Sequence, residues 1–153
     1  MRKFYQNHRK AQLGTRIHEL AAELIDLKIR LPNTTATLNM YVNDGIGYRM
    51  RTEQLLYYSD NVFGTADTIS FVDNELRIHD LKTGDHPGSL LQLQIYAAIF
   101  CLQYRWDPSD LTFCLQIYQS DEILASSPRP EEISSVMKKI VEHNELLETL
   151  KGE

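Results

Sequence analysis

The chain has 153 residues, 42% of them hydrophobic and 24% charged, with a formal net charge of −5. That suffices for one domain with a real core and not for two, and the acidic balance argues against an extensive nucleic-acid surface, though a local basic patch is enough to grip a few phosphates. No apolar run is long enough to span a bilayer and the N-terminal MRKFYQNHRK has no apolar segment, so a cytoplasmic location with no membrane partner is expected.

Residues 1–16 hold five cations, Arg2, Lys3, Arg9, Lys10 and Arg16, and no acid. This head reads equally as a solvated terminus or as a phosphate-gripping patch. The spacing predicts a first helix over Gln12 to Arg30, with Leu13, Ile17, Leu20, Leu24, Leu27 and Leu31 on one buried face. Pro32 and Asn33 end it. His18 lies beside that stripe, with Gly14 one turn before it and Ala21 and Ala22 after it. Such a histidine is either structural or, given these small neighbours, open to a ligand.

Thr37 to Val42 and Tyr48 to Tyr58 read as strands around Asn43-Asp44-Gly45, a hairpin turn signal. The second strand is expected to alternate, with Met50, Thr52, Gln54 and Leu56 on one side and Glu53 on the other. Beside Arg49 and Arg51, Glu53 has an ordinary reading as a paired surface carboxylate. Ser59-Asp60-Asn61 then turns the chain into a strand from Val62 to Val72.

The turn at Asp73-Asn74 leads to the strand Leu76-Arg77-Ile78-His79-Asp80-Leu81-Lys82. Residues i and i+2 of a strand share a face, so Asp80 and Lys82 sit side by side. Pairing through the Asp73-Asn74 turn puts Asp67 opposite Asp80. Two facing carboxylates repel unless a cation lies between them, and hard divalent ions such as Mg²⁺ or Mn²⁺ take carboxylate oxygens. Lys82 stands ready to orient or deprotonate a water, or to stabilise developing negative charge. The apolar neighbours Leu76, Ile78 and Leu81 mark this as a central strand, where solvated charge is hard to explain. A buried structural salt bridge is the other reading. Gly64, three residues before Asp67, either opens space beside the site or marks a tight packing point.

Thr83 to Ser89 is a loop carrying Asp85 and His86, the latter most simply exposed. A helix from Leu90 to Arg105 follows, with Gln92 and Tyr96 at i, i+4 on one face. Trp106-Asp107-Pro108 breaks it. Leu111 to Tyr118 reads as the final strand. Pro130 opens a last helix from Glu131 to Leu150, with a stripe of Val136, Ile140, His143, Leu147 and Leu150. Cys101 and Cys114, in a predicted helix and strand, read as small buried hydrophobes rather than ligands or a disulfide. The expected fold class is α/β, a mixed α+β sheet with helices on its faces in the order α-β-β-β-β-α-β-α. Pattern alone leaves several α+β topologies open.

Gly64-x-x-Asp67, Asp80-x-Lys82-Thr83-Gly84 and Gln92-x-x-x-Tyr96, with His18 on an upstream helix, resemble the RecB-like branch of the PD-(D/E)XK nucleases. That branch includes lambda-type phage exonucleases and CRISPR-associated RecB-like exonucleases. The resemblance spans roughly residues 14 to 119. A lone D-x-K is weak; the ordered set is specific. The resemblance implies a restriction-endonuclease-like core and a Mg²⁺- or Mn²⁺-dependent deoxyribonuclease. It implies His18, Asp67, Asp80 and Leu81 as metal positions, and Asp67, Asp80, Lys82, Gln92 and Tyr96 as catalytic ones. Relatives often carry a glutamate on the strand before Gly-x-x-Asp, which gives Glu53 a second reading near the metal. An imidazole ligand biases such a site toward Mn²⁺. Several relatives hold an iron–sulfur cluster on four cysteines; with two cysteines, none is expected here.

The leading expectation is a stand-alone exonuclease acting on DNA ends in recombination or repair, phage-encoded, with oligomerisation as a route to processivity. An endonuclease or nickase would use the same residues, and only the fate of closed circular DNA separates the two. A catalytically silent DNA-binding domain is the rival of another class, disfavoured by the intact His18, Asp67, Asp80 and Lys82 set. The exonuclease preference rests on analogy.

Overall fold

A computed structural model describes residues 2–152, and for residues 2–12 the backbone alone. The side chains of Arg2, Lys3, Arg9 and Lys10 therefore lie outside the described part of the basic head. The elements are α1 (Arg2–Asp26), α2 (Thr37–Gly47), β1 (Arg51–Ser59), β2 (Val62–Val72), β3 (Glu75–Leu81), α3 (Leu90–Tyr104), β4 (Thr112–Gln119), β5 (Glu122–Ser126) and α4 (Pro130–Lys151). The strands form one mixed sheet in the order β1-β2-β3-β4-β5. β1, β2 and β3 run antiparallel as a meander. The α3 crossover then returns the chain to lay β4 parallel to β3, and β5 turns back antiparallel on β4. Parallel neighbours need such a crossover, and a helix with one apolar face supplies it.

Helices cover both faces. On one, α3 and α4 pack over Leu56, Ala66, Ile69, Leu76, Ile78, Leu115 and Ile117. On the other, α1 and α2 pack over Leu81 and Tyr118 through Ala21, Ile25, Tyr41 and Val42. The middle strand β3 is buried almost throughout, as its near-continuous apolar run requires. The last helix packs on α3 through Ile133 and Ile140, while His143 and Leu150 at its far end are exposed.

Three expectations need correction. Residues 37–47 form a helix, not a strand and turn. Leu38, Tyr41, Val42 and Gly45 recur at helical spacing against α1, and each residue of Asn43-Asp44-Gly45 has a use there. The Asn43 amide closes two hydrogen bonds with the Leu31 main chain at 2.9 Å. Asp44 accepts from the Tyr118 hydroxyl at 2.5 Å. A Cβ at Gly45 would lie 2.8 Å from Ile25 Cδ1. Secondly, a further strand, β5, follows a tight turn at Ser120-Asp121, whose residues both take left-handed backbone. The observed order is thus α-α-β-β-β-α-β-β-α. Thirdly, α1 buries Gly14, Ala21 and Ile25 and leaves Leu13, Leu20 and Leu27 exposed. The buried face is rotated because small residues let the helix approach the sheet.

Candidate functional site

Thr68 pairs with His79 and Ile69 with Ile78 across β2 and β3, so the next level brings Asp67 across from Asp80. This is the register expected from the Asp73-Asn74 turn, where both residues take φ near +50 to +60° as a two-residue type I′ hairpin demands. The two carboxyl groups face one another closely enough for each to shift the other's ionisation. The Leu81 N–H donates to Asp67 Oδ2 at 3.0 Å.

Cations flank the pair. Lys82 Nζ forms an ion pair with Asp80 Oδ2 at 2.9 Å, and that buried oxygen has no hydrogen-bond partner besides this contact. His18 Nε2 sits 3.6 Å from Asp67 Oδ2. Its two ring nitrogens donate to the Gly14 carbonyl at 2.8 Å and the Leu81 carbonyl at 2.6 Å. Both partners are acceptors only, an arrangement that favours the doubly protonated ring. The Asp67 carboxylate accordingly raises His18 to about 9, against the opposing effect of burial.

The two carboxyl groups are shifted in opposite directions. Burial works to raise Asp67, but contacts from His18, Asp80 and the Leu81 N–H more than offset it and hold Asp67 below the usual range. Burial, together with the charge of Asp67, pushes Asp80 up to about 7, with Lys82 opposing. Like charges at this separation cannot both ionise freely. For Lys82, burial disfavours the ammonium, yet Asp80, with Asp67 and Tyr96 beyond it, more than compensates and raises its pKa. Lys82 is therefore charged at neutral pH, suited to stabilising negative charge rather than to accepting a proton.

From α3, Gln92 donates to the Tyr96 hydroxyl at 3.2 Å. Burial and then the Asp80 charge raise the Tyr96 phenol, which places it within the field of the pair. Gly64 proves to be the tight packing point: a Cβ there would meet Tyr96 Cε1 at 2.7 Å. An open cleft of about 680 Å³ borders the cluster, lined by Leu13, Gly14, His18, Asp67, Thr83 and Asp85 among others. Gln119 braces its loop, donating to the Gly84 and His86 carbonyls and accepting from the Gly88 N–H. His86 itself is exposed. Cys101 is buried, its thiol pushed by burial up to about 12, and Cys114 is half-buried.

Glu53 reaches the same level from β1. The ladder pairs Thr52 with Thr68 and Gln54 with Ala66, leaving Glu53 opposite Asp67. Glu53 has φ of 50°, the one left-handed residue within a described strand. Alternation breaks there: Thr52 donates to Asp26 of α1, whereas Leu56 packs in the α3 core. The expected run of Met50, Thr52, Gln54 and Leu56 on one side is therefore not kept. A kink of this kind re-aims side chains, and such irregularities gather at functional sites.

The donors present are two carboxylates, the Leu81 carbonyl and the His18 imidazole, with Glu53 adjacent. Hard oxygen donors with one nitrogen suit Mg²⁺ or Mn²⁺, and the buried Asp80 Oδ2, whose one near partner is the Lys82 ammonium, fits a cation. Among the described residues no three His, Cys, Asp or Glu side chains converge on one point. Sequence reasoning missed Tyr41 and Thr68 beneath the cluster, since residue 41 was expected on a strand.

Among the described residues no helix is long and apolar enough to cross a membrane. No family model and no solved structure matches the chain. Among curated proteins it is similar to the gene 69 protein of Mycobacterium phage D29, 44% identical over 43 residues. That stretch is 28% of this chain and 16% of the phage protein, so the similarity spans less than a fifth of the relative.

Proposed function

We propose that this chain is a metal-dependent deoxyribonuclease of the RecB-like PD-(D/E)XK type that digests DNA from its ends. The observation that carries the reading is the pairing of half-buried Asp67 with buried Asp80, whose Oδ2 has no hydrogen-bond partner besides its ion pair with Lys82. Holding two carboxyl groups together in a half-dry site costs stability unless a cation lies between them.

Asp67, Asp80, the Leu81 carbonyl and His18 in its neutral form would hold Mg²⁺ or Mn²⁺, with Glu53 alongside. Such an ion, when bound, polarises a phosphate oxygen and acidifies a water. The chain supplies the rest. Asp67 and Asp80 draw the cationic side of the reaction to one point. Lys82, held charged by Asp80, stabilises negative charge that develops on the phosphate. Gln92 fixes the Tyr96 hydroxyl, and Tyr96 orients the phosphate or the lysine. The cleft between α1 and the loop at Thr83–Asp85 admits the strand. The 43-residue similarity to a phage protein supports a phage-encoded enzyme.

The test uses end-labelled linear duplex, linear single strand and closed circular DNA with Mn²⁺, Mg²⁺ or EDTA, alongside Lys82→Ala. Metal-dependent loss of linear DNA with circles intact, abolished by Lys82→Ala, supports an exonuclease. Cutting of circles moves the function to an endonuclease on the same residues. No cleavage with either metal refutes the nuclease reading.

A further inference from the structure

Two buried hydroxyls lie directly beneath the charged cluster. Tyr41, on α2, and Thr68, on β2, are almost wholly buried, and their oxygens are 2.5 Å apart. Thr68 Oγ1 has one proton, which it donates to the His79 carbonyl at 3.2 Å, so the Tyr41 hydroxyl donates to Thr68. This chain of two hydrogen bonds grips residues that neighbour both carboxylates in sequence: Thr68 follows Asp67, and the His79 carbonyl belongs to the peptide that enters Asp80.

The grip falls where β2 changes phase. Gly64 faces Tyr96 and Ala66 lies in the α3 core; Ile69 and Phe71 lie on that side too. Thr68 points the other way, to α2. The step from Ala66 to Ile69 is three residues rather than two, and an uninterrupted strand would bury residue 68 with residue 66. The reversal sits level with the left-handed Glu53 on β1. A two-sided irregularity of this kind needs anchors: Asp26 of α1 accepts from Thr52 on the β1 side, and Tyr41 of α2 hydrogen-bonds to Thr68 on the β2 side.

We propose that Tyr41 is a positioning residue whose hydroxyl, acting through Thr68, holds residues 67–71 of β2 in the phase that keeps Asp67 facing Asp80, against the opposite phase of Gly64 and Ala66. Its importance for function rests on the reading of that pair as metal-binding. The strand geometry it predicts does not.

The experiment compares Tyr41→Phe, Thr68→Val and Thr68→Ser with the parent, and includes Val42→Ala as a neighbouring core change that leaves both hydroxyls. Each is examined by thermal melting, crystal structure and Mn²⁺ titration. Tyr41→Phe and Thr68→Val are expected to fold, to show Asp67 drawn away from Asp80, and to bind Mn²⁺ about 10- to 100-fold more weakly, as for losses of partners that orient ligands. Thr68→Ser is expected to keep both geometry and affinity. Val42→Ala is expected to melt lower with affinity retained, which a purely structural role of Tyr41 would not distinguish from Tyr41→Phe. Retention of the Asp67–Asp80 contact in the Tyr41→Phe and Thr68→Val crystals overturns the proposal. If the parent binds no Mn²⁺, the metal reading falls, and the crystals still decide whether Tyr41 sets the strand.

Discussion

Replacing Asp80 by asparagine should stabilise the metal-free protein while abolishing its metal binding. Asp80 is 6% exposed, and burial with the Asp67 charge raises it from the aspartate value of 3.8 to about 7. In the unfolded chain the group ionises freely from pH 4 upward. Folding must therefore work against that ionisation: the cost is absent below about pH 4, grows as pH rises, and is complete above pH 7. The full span corresponds to about 4 kcal/mol. Loss of the Lys82 contact takes part of this back, leaving an expected gain of about 2 kcal/mol at pH 8. For a chain of this size that raises the melting temperature by about 4 to 8 °C. The amide keeps the shape without the charge. Thermal melts in EDTA at pH 8 and pH 4.5, parent against Asp80→Asn, measure it. The gain should appear at pH 8 and fade at pH 4.5. An unchanged or lower stability at pH 8, or an equal gain at both, refutes the claim that a strained carboxyl pair sits in the fold.

Other outcomes follow from the same geometry. Gly64→Ala should displace the Tyr96 ring, since its Cβ would lie 2.7 Å from Cε1; nuclease rate should fall more than stability, as single-turnover assays with parallel melts would show. Leu93 is fully buried under the sheet, so Leu93→Ala should cost about 2 to 5 kcal/mol in urea unfolding. His79, buried between Arg77 and Tyr118, is lowered by burial and by Arg77 to about 3. Its neutral form suits the fold, so its contribution is intact above pH 6.5 and is lost as pH falls toward 3. Between pH 7 and 4 the parent should lose about 3 kcal/mol more than His79→Gln in pH-dependent unfolding.

Local signals in the sequence reached far where one force dominated. The Asp73-Asn74 turn, with alternating strands on either side, defined the β2–β3 register, and with it the meeting of Asp67 and Asp80. The helix of Gln92 and Tyr96 followed from spacing alone. Residues 37–47 misled because Asn-Asp-Gly is a strong turn signal taken locally. Their helical conformation depends on distant partners: Leu31 for Asn43, Tyr118 for Asp44 and Ile25 for Gly45. The face of α1 was misjudged for a related reason. Leucine spacing is visible in sequence, whereas the close approach that favours Gly14, Ala21 and Ile25 appears only once the sheet is present. The kink at Glu53 has no local cue, since glutamate has no preference for a left-handed backbone. Tyr41 became visible only with α2 in place. Leu81 gives no chemical signal through its side chain; its role comes from a carbonyl that His18 reaches across 63 residues of sequence.

The most direct measurement is Mn²⁺ binding to the metal-free protein, followed by loss of the free-ion electron paramagnetic resonance signal. The parent should remove Mn²⁺ from solution. Asp67→Asn and Asp80→Asn should not, while keeping their folded circular dichroism spectra. A parent that leaves the free-ion signal unchanged, or an Asp80→Asn protein that binds as tightly as the parent, would contradict the assignment of this carboxylate pair as a metal site.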